Sequence, residues 1–208
     1  MITTVFNKLE LAIQKISHLA DLLSRVLLLV LVLLTAEQVV ARYIFSASSI
    51  AFQELEWHLF GFVFLLSMAH TLQVNGHVRV DIFYAKFSER KKAVIDIFGI
   101  LFFLIPASLL LIYYGVDFVS EALKFNNSRA PDYYSSWLSS NGSFLYQILS
   151  PIEALLRKTI LIGEISANPG GLEARWIIKA AIPFAFLLLF AQSLSLLVKK
   201  LSILLKGS

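Results

Sequence analysis

The chain has 208 residues, 58% of them hydrophobic and only 15% charged, and its mean hydropathy is +0.75. Such values lie outside the range of soluble domains and indicate a membrane protein. There is no cysteine, which excludes dithiol redox chemistry, iron–sulfur ligation and thiolate zinc sites. The formal net charge of +4 sits beside apolar segments, so it speaks for membrane orientation and lipid headgroup contact and against a nucleic-acid partner.

Residues 1–20 place Val5, Phe6, Leu9, Ile13, Ile16 and Leu19 at helical spacing, opposite Asn7, Lys8 and Lys15. This predicts an amphipathic helix, too polar to span, which either lies along the interface or leads continuously into the first span. Four apolar segments follow, Leu22–Phe45, Ala51–Val74, Ala93–Val119 and Trp176–Val198. Each reaches the ~20 residues that a spanning helix needs. The first run is long and follows a mixed-charge segment, so it reads as a retained span and not as a signal peptide. The expected fold is therefore an all-α integral membrane protein. One membrane domain over residues 1–208 would hold four transmembrane helices, the N-terminal amphipathic helix and a surface helix in the long third loop.

The tight turn Ser46–Ser49 brings Arg42 near Glu54 and Glu56, and an Arg42 pair with one of these carboxylates is expected across the first hairpin. Between the second and third spans, residues 77–92 carry five of the eighteen Lys and Arg residues. The third loop, about 120–175, contains turn signals at Asn126-Asn127-Ser128 and Ala130-Pro131-Asp132. Phe144, Ile148, Ile152, Leu155 and Leu156 then form an apolar stripe suited to a helix on the outer interface, with Glu153 and Glu164 expected on polar surface. Asn168-Pro169-Gly170-Gly171 breaks the chain before the fourth span, where Lys179 is expected to snorkel outward.

Eleven of the eighteen cations fall in the two tails and the short 77–92 loop, which predicts that this side, with both termini, is cytoplasmic. The membrane-embedded charges Glu37, Arg42, Glu54, Glu56, Asp96, Asp117 and Lys179 all lie within about two turns of a predicted interface. A proton relay would string such groups through the hydrocarbon core, so none is expected. His58 and His70 stand about 18 Å apart along one helix, while His18 and His77 fall in a tail and a loop. No bis-histidine haem site is expected from that placement. His70 reads as a polar helix–helix contact. No phosphate-binding Gly loop, nucleophile elbow or zinc-protease helix occurs, so neither an enzyme nor a bound cofactor or metal is expected. Trp57, Phe60, Phe62, Phe64, Phe98, Phe102 and Phe103 suit lipid contact or, with Gly61, Ser67 and Ala69 allowing close approach, packing against another protein's helices. A self-contained four-helix channel or carrier is the alternative. However, the paired, Gly/Pro-broken segments of an autonomous transporter are absent from the sequence.

Several motifs sharpen this. Arg42-Tyr43-x-Phe45 closes the first span and Glu54-Leu55 opens the second. Asn75-Gly76-His77-Val78-Arg79-Val80-Asp81 follows it, and Trp176-x-x-Lys179-x-x-Ile182-Pro183, with Gln192 later, opens the fourth. In these the chain resembles the small, Q-type membrane subunit of tripartite ATP-independent periplasmic (TRAP) transporters. The resemblance implies a scaffold in a bacterial or archaeal cytoplasmic membrane. Its implied partners are a large, M-type membrane subunit, which holds the sodium and substrate sites and moves as an elevator, and a periplasmic binding protein delivering a small, carboxylate-bearing solute. It makes Arg42, Glu54, Glu56, Trp57, Gly61 and Lys179 candidates for contact with those partners. His77, Arg79 and Asp81 would brace the loop, with Asp81 capping the helix into the third span.

Overall fold

A computed structural model describes residues 2–74, 84, 87–126, 129–130, 132–133, 135–136 and 144–206. Helix α1 runs over Ile2–Ile44 and α2 over Ile50–Gln73. Helix α3 spans Glu89–Lys124, and α5 covers Trp176–Lys206. All four are long and apolar enough to cross a membrane, and α4, Phe144–Thr159, lies in the loop before the last of them. No strand occurs among the described residues.

Residues 2–44 contain neither Gly nor Pro, and nothing in the sequence stops the helix between the amphipathic lead-in and the first span. The two are one helix, so the continuous lead-in is the arrangement found. It ends at Ile44; just beyond, Ser46 takes a left-handed φ of 50°, while Ala47 N–H donates back to the Ala41 carbonyl at 3.0 Å. In α3 a π-helical turn at Ile100–Leu104 precedes Pro106. Proline has no N–H for the carbonyl four residues back, and the ladder is rearranged in the turn just upstream.

Helix α1 packs on α2, and α2 and α3 both pack on α5, the most buried of the four. The first core patch is Ala20, Leu66, Ala69 and Leu188, with Leu27 and Phe62 against it. Alanines on α1 and α2 let those backbones approach, the packing mode that works where lipid is as apolar as leucine. On the other side, a Cβ added at buried Gly115 would stand 3.0 Å from Pro183 Cδ, so α3 and α5 meet closely only because residue 115 lacks a side chain.

The start of α1 and the end of α5 share one end of the bundle. There Lys199 of α5 pairs with Glu10 of α1, and Lys200 pairs with Asp96 of α3 at 2.7 Å. Tyr84 donates to Asp96 as well. The opposite end carries α4 and the segment between α4 and α5.

Candidate functional site

The most elaborate polar construction stands at the loop end. Glu173, with its side chain 1% exposed, accepts from Arg129 Nη1 at 2.7 Å and from Arg157 Nη1 at 2.9 Å. Arg157 also donates through Nε to Glu153 at 3.0 Å. The second oxygen of Glu153 accepts from the Ser135 N–H at 2.8 Å and the Ser135 hydroxyl at 2.9 Å. Tyr133 lies against both guanidinium groups, 4.8 Å from Arg129 Cζ and 5.7 Å from Arg157 Cζ. Burial alone would lower the Arg157 pKa, but the hydrogen bonds and charges of Glu153 and Glu173 outweigh it and hold the group above its ordinary value. The alternation of two carboxylates and two guanidiniums leaves each buried charge with an opposite neighbour, the condition for tolerating burial.

This arrangement turns α4 inside out relative to an ordinary surface helix. Buried Glu153 and half-buried Tyr146 and Arg157 face the protein, while Phe144, Ile148, Ile152 and Leu155 are exposed. The expected apolar stripe is present on the outside, but Glu153 is not on polar surface. An apolar outer face and a pinned polar inner face suit a helix resting on the membrane interface.

A second set of contacts joins the same loop to the spans. Glu54 at the start of α2 accepts from the Leu172 N–H at 2.8 Å, from Asn168 Nδ2 at 3.0 Å and from the Ser166 hydroxyl. Gly163 takes φ +74°, and an added Cβ there would stand 2.7 Å from the Ala122 carbonyl oxygen. Only glycine allows the chain to pass so closely over the end of α3, where Glu164 N–H donates to that carbonyl at 2.8 Å. Lys179 of α5 pairs with Glu164 and lies 3.9 Å from the Phe118 ring centre. Trp176, one turn earlier, donates its indole N–H to the Ile160 carbonyl at 2.9 Å. The spacing Trp176-x-x-Lys179 thus puts two side chains on one helix face against the 160–164 turn.

At the termini end, Asp21 bonds Arg25 at 2.7 Å and stands 3.7 Å from His70 Nε2. The His18 and His70 rings are 5.5 Å apart, and donor atoms of His18, Asp21 and His70 lie within 4.8 Å of one another. These three are the described side chains close enough to share a cation, though Arg25 already supplies positive charge to Asp21. The sequence alone places His18 in an interfacial tail, away from His70. Continuity of α1 brings it onto the bundle, so the two histidines meet, and His70 does make the polar helix–helix contact expected of it.

Between the two ends the spans hold no charged or histidine residue: residues 26–36, 59–69, 97–116 and 180–198 contain no Asp, Glu, Lys, Arg or His. Residues 31–141 match the family of the DctQ component of tripartite ATP-independent periplasmic transporters. The chain belongs to the DctQ family. Among curated proteins none matches it. The match begins inside α1, covers α2 and α3, and ends ahead of α4. This DctQ chain is thus the small membrane subunit of a TRAP transporter, a multi-pass membrane protein whose family works with a large subunit and a binding protein.

Several expected roles in the DctQ chain are corrected by its geometry. Arg42 is exposed and pairs with neither Glu54 nor Glu56 among the described residues; the loop between α4 and α5 reaches Glu54 first with two side chains and an N–H. Glu56 keeps one buried carboxylate oxygen without a hydrogen-bond partner. Lys179 does not snorkel outward, because Glu164 holds it inside. Gly61 faces Ile178 of the same chain, 3.2 Å from an added Cβ, so that close approach is used internally. Trp57 is 77% exposed and open to a neighbour. His77, Arg79 and Asp81 lie outside the described residues, as do Asn127, Ser128 and Pro131 of the expected turns. Sequence reasoning missed the Arg129–Glu173–Arg157–Glu153 chain. The Glu153/Arg157 spacing of four was its one local signal.

Proposed function

We propose that this chain is a non-catalytic scaffold that packs against the large subunit and supports sodium-coupled, elevator-type uptake of a small, carboxylate-bearing solute. The observation that supports this best is the charge-free middle of all four spans. A carrier of a charged solute and sodium needs polar or ionised ligands near mid-bilayer, and this bundle supplies none from Asp, Glu, Lys, Arg or His. Its charged side chains instead gather at the two ends, where several of them pair between elements.

The cation distribution supports a reading with both termini in the cytoplasm and the loop end facing the periplasm, and the transporter family supports a bacterial or archaeal inner membrane. On that reading the structured loop, with exposed Arg42 and Trp57 nearby in the hairpin, forms part of the surface met by the binding protein. Sodium and solute are held by the large subunit, and this chain needs no cofactor. Co-expression with the genomically adjacent large subunit tests the scaffold role. The two should leave the membrane as one stable complex in mild detergent. Recovery of this chain entirely free of that partner would count against the proposal.

A further inference from the structure

We propose that the groove between the start of α3 and the end of α5 is a binding site for an acidic phospholipid of the leaflet at the termini end. This goes beyond the scaffold role and depends only on the membrane-spanning fold.

Arg90, Lys91, Val94 and Ile95 stand as neighbours or at steps of three and four, so they share one side of the α3 start, and Phe87 lies just ahead of the helix. With Leu204 from the last turns of α5 they line an open groove of about 430 Å³. Its floor is hydrocarbon and its rim carries two cations. The surrounding charges are already matched: Lys92 pairs with Glu89 at 3.0 Å, Lys200 with Asp96 at 2.7 Å, and Lys199 with Glu10. Arg90 and Lys91 have no carboxylate partner among the described residues and are exposed. A guanidinium and an ammonium side by side, left over after local pairing, form a receptor for a phosphodiester. Ser88 precedes the helix without a side-chain cap, so first-turn N–H groups add the favourable end of the helix dipole.

The apolar part of the groove selects a lipid over a free anion. From Val94 and Ile95 the same side of α3 continues to Phe98, which is 55% exposed. This track leads from the charged rim into the charge-free band that begins at residue 97, the direction an acyl chain takes below its headgroup. Basic pockets between transmembrane helices with this layout recognise anionic headgroups.

The test uses the purified full chain in neutral detergent, with lipid retention read by native mass spectrometry and stabilisation by thermal unfolding. Phosphatidylglycerol should be retained over phosphatidylcholine by about twenty-five-fold, since each of the two basic residues near the acidic headgroup contributes roughly fivefold. R90Q/K91Q should remove that preference, whereas K15Q/K158Q, with the same loss of charge at exposed positions elsewhere, should keep it. Ile95→Trp, which fills the groove and leaves both cations, should also lower retention. The proposal is overturned if the two double variants behave alike, if Ile95→Trp retains the lipid fully, or if inorganic phosphate stabilises the chain as well as phosphatidylglycerol does.

Discussion

Glu173 stands between Arg129 and Arg157 with its side chain almost fully enclosed, and its removal would leave two guanidiniums facing one another across an empty site. Breaking a buried pair in this way costs about 3–5 kcal/mol, because the remaining charge is desolvated without compensation. Glu173→Ala should therefore lower the stability of the detergent-solubilised protein by that amount in denaturant unfolding. Arg42→Ala, at an exposed residue that meets neither Glu54 nor Glu56, should stay within about 0.5 kcal/mol of the parent. Equal effects of the two substitutions would contradict the assignment. Residues of this kind were only half legible in the sequence. Spacing brought Arg42 near Glu54, but it could not show that Leu172, Asn168 and Ser166, more than a hundred positions later, would occupy that carboxylate. Lys179 was misplaced for the same reason, since its partner Glu164 lies across a loop whose path depends on Gly163.

Helices were more legible than their contacts, because hydrophobic runs, turn residues and prolines act locally. The four long helices, the surface helix and the N-terminal amphipathic segment follow from such signals. The seam between α3 and α5 does not, because it depends on Gly115 meeting Pro183 from a distant helix. Gly115→Leu should force these helices apart and cost about 1–3 kcal/mol, as overpacking does. Gly99→Ala, in the same helix but with nothing within 4 Å of an added Cβ, should instead stabilise by about 0.5–1 kcal/mol. Thermal unfolding of both variants separates close packing from a general intolerance of α3 to substitution. The outward apolar face of α4 makes a further prediction, and the lack of native cysteine makes the probe clean. A fluorophore at Leu155→Cys should be quenched by brominated acyl chains in vesicles. Quenching by aqueous iodide alone would place α4 away from the bilayer.

At the scale of the whole molecule, charged groups are confined to the ends, and the middle is hydrocarbon with a few neutral polar side chains such as Ser108 and Gln192. This division was readable in advance, because the positions of charged residues along four apolar runs fix their depth at 1.5 Å per residue. What the ends do was not readable: one is closed by a buried ion-pair chain and the other by contacts among α1, α3 and α5. Both constructions brace the bundle, and neither reaches the charge-free band. In the proposed role, this subunit supports transport without conducting it. Proteoliposomes under an inward sodium gradient test it most directly, with the binding protein and its loaded solute supplied outside. Vesicles containing this chain and the large subunit should accumulate solute, and vesicles containing this chain alone should not. Sodium-driven accumulation by this chain alone would contradict the account.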